Sequence, residues 1–344
     1  MFWTIKVKRK ILAAALALVV AAALCPALGR VWAAGTTQDF IKWVDFDVPA
    51  SLLRQTLQLD TESYGCDSPH TSWVDLLAYL AAKYGGDFSL FKQKDLDQLL
   101  ERVSQGESLE EIALGMPNFD YYQEAYGAVL GGFVGEFQLE GEQGWETCYG
   151  LKAYSPIAET FPYHDYNDFG VSREYGYHRR HLGHDMMAQV GTPVVAVESG
   201  VVEAMGWNQY GGWRVGIRSF DGLRYHYYAH LRKDRPFAQG LAVGKTVMAG
   251  DVIGYVGRTG YSATENVNGI EQSHLHYGLQ LIFDESQKEG NGEIWVDVYQ
   301  ICQLLRGHQS TVQRNDETKE WTRVHGFQET APETSSPSKT KKLP

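Results

Sequence analysis

The chain has 344 residues, a formal net charge of -11, 44% apolar residues and 36 glycines. That length accommodates one sizeable core plus a smaller domain or extended flanks. The acidic balance, with no clustered Lys and Arg in the body of the chain, excludes a phosphate-reading protein, so no nucleic-acid partner is expected.

Lys6, Lys8, Arg9 and Lys10 precede an uncharged apolar stretch from Ile11 to Gly29, and Val31-Trp32-Ala33 then offers small residues for signal-peptidase cleavage. Residues 1–35 therefore read as a signal peptide or, because the stretch approaches the roughly 20 residues that cross a bilayer, as an uncleaved membrane anchor. Either reading places the rest of the chain outside the cytoplasm. Cys25 follows Leu24, whose bulk speaks against a lipoprotein cleavage box, so no lipidation is expected.

Residues 36–135 show helical patterning. Ser72 with Asp75 has the spacing of a capping box ahead of Trp73, Leu76, Leu77 and Leu80, and Gly85-Gly86 ends that run. Leu96, Leu99, Leu100 and Val103 repeat at i, i+3, i+4, i+7 until Gly106, and Ser108 with Glu111 opens a further short helix. The run from Phe119 to Phe133 is apolar and aromatic but is interrupted by Gly127, Gly131 and Gly132. Nothing here has a catalytic pattern, and a small helical accessory domain that packs on or positions the second half is the expectation.

Residues 136–160, rich in Gly, Glu and polar residues, read as a linker. The period then changes to two. Thr192–Val197, Trp213–Ile217 and Asp251–Val256 are short apolar runs bounded by glycine turns, as antiparallel strands require. Residues 161–308 are thus a mostly antiparallel β domain, and the chain as a whole is α+β with an open groove in the second half. Residues 309–344 hold little apolar material to offset the entropy of ordering and read as a disordered tail. Of Cys66, Cys148 and Cys302, the first two could pair or stay as thiols, and no C-x-x-C exists.

Five of the 11 histidines fall between Tyr175 and His230. His178, His181 and His184 cannot form a triad, since spacings of three alternate faces on a strand and rotate away on a helix. His181 and Asp185, at i and i+4, share a strand face and are neighbours on a helix, with Gly183 allowing a sharp turn between them. His274 and His276 enter one groove from a strand while Leu275 enters the core. In Tyr225–Leu231 the residues His226, Tyr228 and His230 fall on one strand face. These elements supply two imidazoles and a carboxylate for a tetrahedral metal with one open position, plus spare histidines for proton transfer.

Together they resemble the lysostaphin and LytM family of zinc peptidases over about residues 160 to 300. The resemblance rests on Asp168-Phe169-Gly170 with Arg173, His181-Leu-Gly-His-Asp185, Gly191-Thr-Pro-Val with Gly200-Val-Val, and Tyr228-Ala-His230-Leu. It continues through Gly250-Asp-Val-Ile-Gly-Tyr-Val-Gly with Thr259-Gly260, and His274-Leu-His276. It implies an extracytoplasmic, zinc-dependent peptidoglycan endopeptidase, secreted to the wall or anchored facing outward, that hydrolyses cross-link or stem peptides through a metal-activated water. One Zn2+ per chain would be held by His181, Asp185 and His276. His230 and His274 would be the catalytic histidines, one moving the proton and the other steadying the oxyanion, in an order left open. Tyr175, ahead of Tyr177, would be the oxyanion tyrosine. His184 would lie behind the ligands or partly exposed, and His178 and His226 would be structural or substrate-facing. The alternative within the same fold is a non-catalytic wall-binding or morphogenesis scaffold. Two features depart from the family: a longer loop over 261–273, expected to wall the groove, and Tyr277-Gly278 after His276, where an acidic residue is common.

Overall fold

The computed structural model describes residues 40–66, 69–174 and 178–329. The N-terminal segment and residues 330–344 lie outside them. Among the described residues no helix is long and apolar enough to cross a membrane.

The first half forms helices α1 (Ala50–Ser63), α2 (Trp73–Tyr84), α3 (Gln93–Ser104), α4 (Leu109–Ala113) and α5 (Phe119–Leu130). Trp73, Leu76, Leu77 and Leu80 stack on one face of α2 and are all buried, as an apolar stripe of period 3.6 dictates. The start of α2 departs from expectation, because Ser72 makes no side-chain cap. Instead the buried Asp60 of α1 accepts from the Trp73 N–H at 2.8 Å and from the Tyr149 hydroxyl at 2.7 Å. A carboxylate at the positive end of a helix is a stronger acceptor than a hydroxyl, so the tertiary partner wins over the local one. The capping box at Ser108 and Glu111 does form.

The stretch expected as a linker is corrected by the structure. β1 (Val134–Gly141) and β2 (Gly144–Leu151) pair as a hairpin from Val134↔Leu151 to Gly141↔Gly144. Half-buried Phe137 and Leu139 alternate with exposed Glu136, Gln138 and Glu140, a one-sided strand whose polar face disguised it.

The sheet that carries the site comprises β3 (Tyr163–Tyr166), β6 (His184–Ala188), β8 (Gly200–Asn208), β9 (Gly212–Ser219), β10 (Arg224–Leu231), β11 (Thr246–Val247), β13 (His274–Leu281) and β14 (Ile294–Val296). Around it lie the pairs β4 (Ser172–Glu174) with β5 (His178–Arg180) and β7 (Pro193–Val195) with β12 (Val252–Tyr255). The strand order is β11-β8-β9-β10-β13-β6-β3, with β14 also on β13, and the pairings are antiparallel. Val202, Val215, Ile217, Tyr228, Leu275, Tyr277 and Leu279 form its buried face. Helix α6 (Tyr299–Leu305) follows, and Gln300 Oε1 accepts from the Ala50 N–H of α1 at 3.0 Å.

A buried polar network joins the helical layer to this sheet. The Arg224 guanidinium grips Glu198 through two bonds of 2.8 and 3.1 Å and donates to the Ala128 carbonyl, near the end of α5, at 2.7 Å. The cation thus meets both a carboxylate and the negative end of a helix, which offsets the cost of burying it.

The expected disordered tail is corrected over 309–329. β15 (Val312–Arg314) pairs with β16 (Trp321–Arg323), and β17 (Phe327–Gln328) adds to β1 through Leu139↔Phe327. Composition misled here because a few anchors suffice. Phe327 is buried against Phe137 with ring centroids 5.2 Å apart, and buried Glu320 accepts from the Tyr255 hydroxyl at 2.6 Å. Cys66 and Cys148 are free thiols in this structure.

Candidate active site

Strand register builds the site. Asp185 on β6 pairs with His276 on β13, and His276 pairs with Ala229 on β10. Side chains alternate along a strand, so Asp185, His274 and His276 face one side while His184, Leu275 and Tyr277 face the other. His181 lies just before β6. Its Nε2 is 3.0 Å from Asp185 Oδ1 and 2.8 Å from His276 Nδ1, and that Nδ1 is 3.0 Å from the same carboxylate oxygen. The three side chains form a metal-competent group, with His181 and Asp185 buried.

Gly183 stands at a bend ahead of β6, as anticipated, and is also needed for a close approach. A Cβ there would lie 2.6 Å from His276 Cε1 and Nε2 and 2.8 Å from the Tyr277 carbonyl oxygen, so the glycine is needed for close approach to a ring and a backbone.

Behind His181, the Asp168 carboxylate stands 2.7 Å from Nδ1. A metal held at Nε2 would leave the imidazole proton on Nδ1, facing this carboxylate. Asp168 belongs to the Asp168-Phe169-Gly170 motif, but nothing local in the sequence signals a partner 13 positions ahead of His181. Burial would raise the Asp185 carboxyl, but hydrogen bonds from His181 and His276 hold it well below the usual carboxylate range. Burial pushes the His276 imidazole down to about 4 against the pull of Asp185. The group offers one carboxylate oxygen and two imidazole nitrogens, an N/N/O donor set that fits a zinc ion with a further position to spare.

The other two histidines flank this group. His274 Nδ1 faces the Gln272 carbonyl at 2.9 Å, and His230 Nδ1 faces the Thr259 carbonyl at 2.9 Å. Both carbonyls can only accept, so each ring carries a proton on Nδ1 and leaves Nε2 as its other nitrogen. His274 Nε2 is buried without a hydrogen-bond partner, 3.7 Å from Asp185 Oδ2. The His230 and His274 ring centroids are 4.8 Å apart. Burial, reinforced by neighbouring His274 and His276, lowers His230 well below the ordinary imidazole range.

His230 reaches this place through an irregularity. The register of β10 against β9 shifts between Tyr228 and Leu231, and His230 has φ 61. Such a φ is strained for a non-glycine residue and is found where a site requires it. The expectation that His226, Tyr228 and His230 share a face is corrected, because the bulge inverts parity. His226 and Tyr228 turn into the core, where His226 contacts Glu198 Oε2 at 2.8 Å and the Tyr277 hydroxyl at 2.9 Å, whereas His230 turns into the groove. His184 is buried on the far face of β6 against Asp165 at 2.8 Å. The side chain of His178 and the oxyanion candidates Tyr175 and Tyr177 lie outside what is described.

The group opens into a cleft of about 560 Å³ whose walls include Tyr210, Arg214, Tyr227, Tyr261 and Trp295. From the long 261–273 loop only Tyr261 lines it, while Asn266 pins the loop by accepting from Trp213 Nε1 at 2.9 Å. Gly278, in place of the family's acidic residue, gives room for Trp295, which a Cβ would meet at 2.8 Å.

Residues 179–289 match the family model described as Peptidase family M23. This stretch is a Peptidase family M23 domain. The chain is 36% identical over 178 residues to the L-Ala--D-Glu endopeptidase of Bacillus subtilis (strain 168), covering 52% of this chain and 51% of that protein. It is 38% identical over 98 residues to lysostaphin of Staphylococcus simulans, covering 28% and 17% respectively. The chain thus spans about half the length of the first relative and under a fifth of the second. A solved structure from Ruminococcus gnavus, carrying the name glycyl-glycine endopeptidase lytM, superposes with TM-score 0.51 at 24% identity over 79% of this chain and 92% of that one. That share exceeds the M23 domain, so the likeness of fold extends beyond it.

Proposed function

We propose that the chain is a zinc-dependent peptidoglycan endopeptidase acting outside the cytoplasm on peptide bonds of wall cross-links or stem peptides. The observation that carries this is the meeting of His181 Nε2, Asp185 Oδ1 and His276 Nδ1 within 3.0 Å at the wall of a cleft, with the His230 and His274 imidazoles beside them. The M23 domain and the wall-active names of its relatives support the substrate.

Those three atoms would hold one zinc per chain, with Asp168 fixing the His181 tautomer. Bound zinc supplies Lewis-acid polarisation of the scissile carbonyl and a lowered pKa for water. The chain's own residues do the rest. His230 and His274, each tethered through Nδ1 to a carbonyl, present Nε2, one of them to take the proton of the attacking water and return it to the leaving amine. The imidazole not engaged in that transfer steadies the developing oxyanion, and Tyr175 is assigned the same task on the strength of the resemblance.

The test is mass spectrometry of fragments released from purified peptidoglycan by zinc-loaded, chelated and His276→Ala protein. Peptide-bond cleavage is expected for the loaded wild type alone. Stoichiometric zinc without released fragments would overturn the enzyme reading in favour of a wall-binding scaffold.

A further inference from the structure

We propose that Arg214 reads a carboxylate on the substrate, so that the cleft selects an acidic peptide, charged near the scissile bond, over a neutral one. This rests on the peptidase reading above and specifies its substrate.

Position comes first. Tyr228 pairs with Val215 and Leu231 with Trp213, so Ala229 and His230 together oppose the single residue Arg214. Ala229 in turn pairs with His276 and His276 with Asp185. Arg214 therefore lies in the same row as the candidate zinc ligands, two strands from His276, which at about 4.8 Å per strand is roughly 10 Å. An extended peptide covers that distance in about three residues, fewer once the reach of the arginine side chain is included.

Chemistry comes second. Arg214 is half-buried in the cleft wall, and its Nε is buried without a hydrogen-bond partner. Neighbouring cations are matched: Arg218 donates to Glu203 at 2.8 Å and to Glu285 at 3.2 Å, and Lys288 pairs with Glu203. Glu293 is occupied by the Trp295 indole at 2.8 Å and the Gly290 N–H at 3.2 Å. Among the described residues no carboxylate pairs with Arg214. Its guanidinium lies 6.0 Å from the Tyr227 ring centroid, and Tyr227 lines the same cleft. A partly desolvated guanidinium beside an aromatic wall, with donors to spare, is suited to the two-point grip that a planar fork gives a carboxylate. A neutral glycine-rich peptide would leave that charge uncompensated.

The test uses a synthetic stem peptide containing L-Ala-D-Glu, made with the glutamate α-carboxyl free or as the carboxamide. Wild-type protein is expected to favour the acid in kcat/KM by about 10- to 100-fold, the range of a lost charged hydrogen bond. Arg214→Gln should lose rate on the acid only, abolishing the preference, and Arg214→Lys should keep part of it. Equal loss on both peptides, or no preference in the wild type, would overturn the assignment. Binding of the two peptides to chelated wild-type and R214Q protein is measured alongside. If the wild type cuts neither peptide, the digestion of purified peptidoglycan decides the enzyme reading, and binding decides Arg214: preference for the acid lost in R214Q sustains it, and equal binding by the wild type sinks it. Should R214Q not fold, the wild-type preference and the Arg214→Lys variant decide.

Discussion

Gly183→Ala tests the close approach on which the metal-competent group depends. The new Cβ would sit 2.6 Å from two atoms of the His276 ring and 2.8 Å from the Tyr277 carbonyl oxygen. Ordinary carbon contacts begin near about 3.5 Å, so the ring must retreat by about 0.9 Å or the β6–β13 ladder must open at His184↔Tyr277. Metal-ligand distances tolerate only about 0.2 Å, so either movement takes Nδ1 out of place. Zinc affinity should fall by at least the roughly 10- to 100-fold seen when outer partners of a ligand are lost. The overpacking itself should cost about 1–3 kcal/mol of stability. The assay is zinc affinity by chelator competition on folded protein, with the melting temperature recorded with and without metal. Gly307→Ala, whose Cβ meets nothing within 4 Å, is the control and should change stability by less than about 0.5 kcal/mol. A G183A protein that binds zinc within about twofold of wild type, with an unchanged melting temperature, would refute the packing argument.

Asp168→Asn removes the acceptor at 2.7 Å from His181 Nδ1 and should weaken zinc binding by about 10- to 100-fold while circular dichroism stays native. Arg224→Ala removes the buried cation that Glu198 faces and leaves it only the His226 imidazole, and urea unfolding should show a loss of about 3–5 kcal/mol. Burial would raise Glu198, but the Arg224 charge and the His226 hydrogen bond pull it to about 2 from 4.5. A carboxyl depressed on folding stabilises above pH 4.5 and loses that contribution as pH falls toward 2, on the order of 3 kcal/mol, so Glu198→Gln should flatten the acid limb of the stability profile.

The helical half was legible where packing is local. Leu96, Leu99 and Val103 repeat on one face and all are buried. The cap of α2 was not, because its partner Asp60 lies 13 residues away and no short-range rule ranks a distant carboxylate above an adjacent serine. β1 and β2 were hidden for a related reason. A strand that is half-buried on one side and exposed on the other has a polar average, and only its alternation betrays it. In the tail, composition was the wrong measure: Phe327 and Glu320 each tie a short segment to residues much earlier in the chain.

Parity divides the candidate site in the same way. His274 and His276 lie on an unbroken stretch of β13, so counting by two from the sequence puts both imidazoles on the groove side, and the register agrees. Counting by two along β10 puts His230 with His226, and the structure separates them, because the chain gains one residue against β9 between Tyr228 and Leu231. No residue type near His230 announces that bulge, which carries a non-glycine φ of 61. The strain is maintained by bonds outside β10: the His230 N–H donates to Gly211 at 2.8 Å and the ring to Thr259 at 2.9 Å. Gly212 permits the second of these, since a Cβ there would come within 2.3 Å of the Thr259 backbone. His230, the candidate for proton transfer, is thus positioned by backbone groups of two loops, and the candidate ligands Asp185 and His276 by the ladder itself. Substitutions at Gly212 should therefore disturb proton transfer while sparing zinc binding, and those at Gly183 should do the reverse.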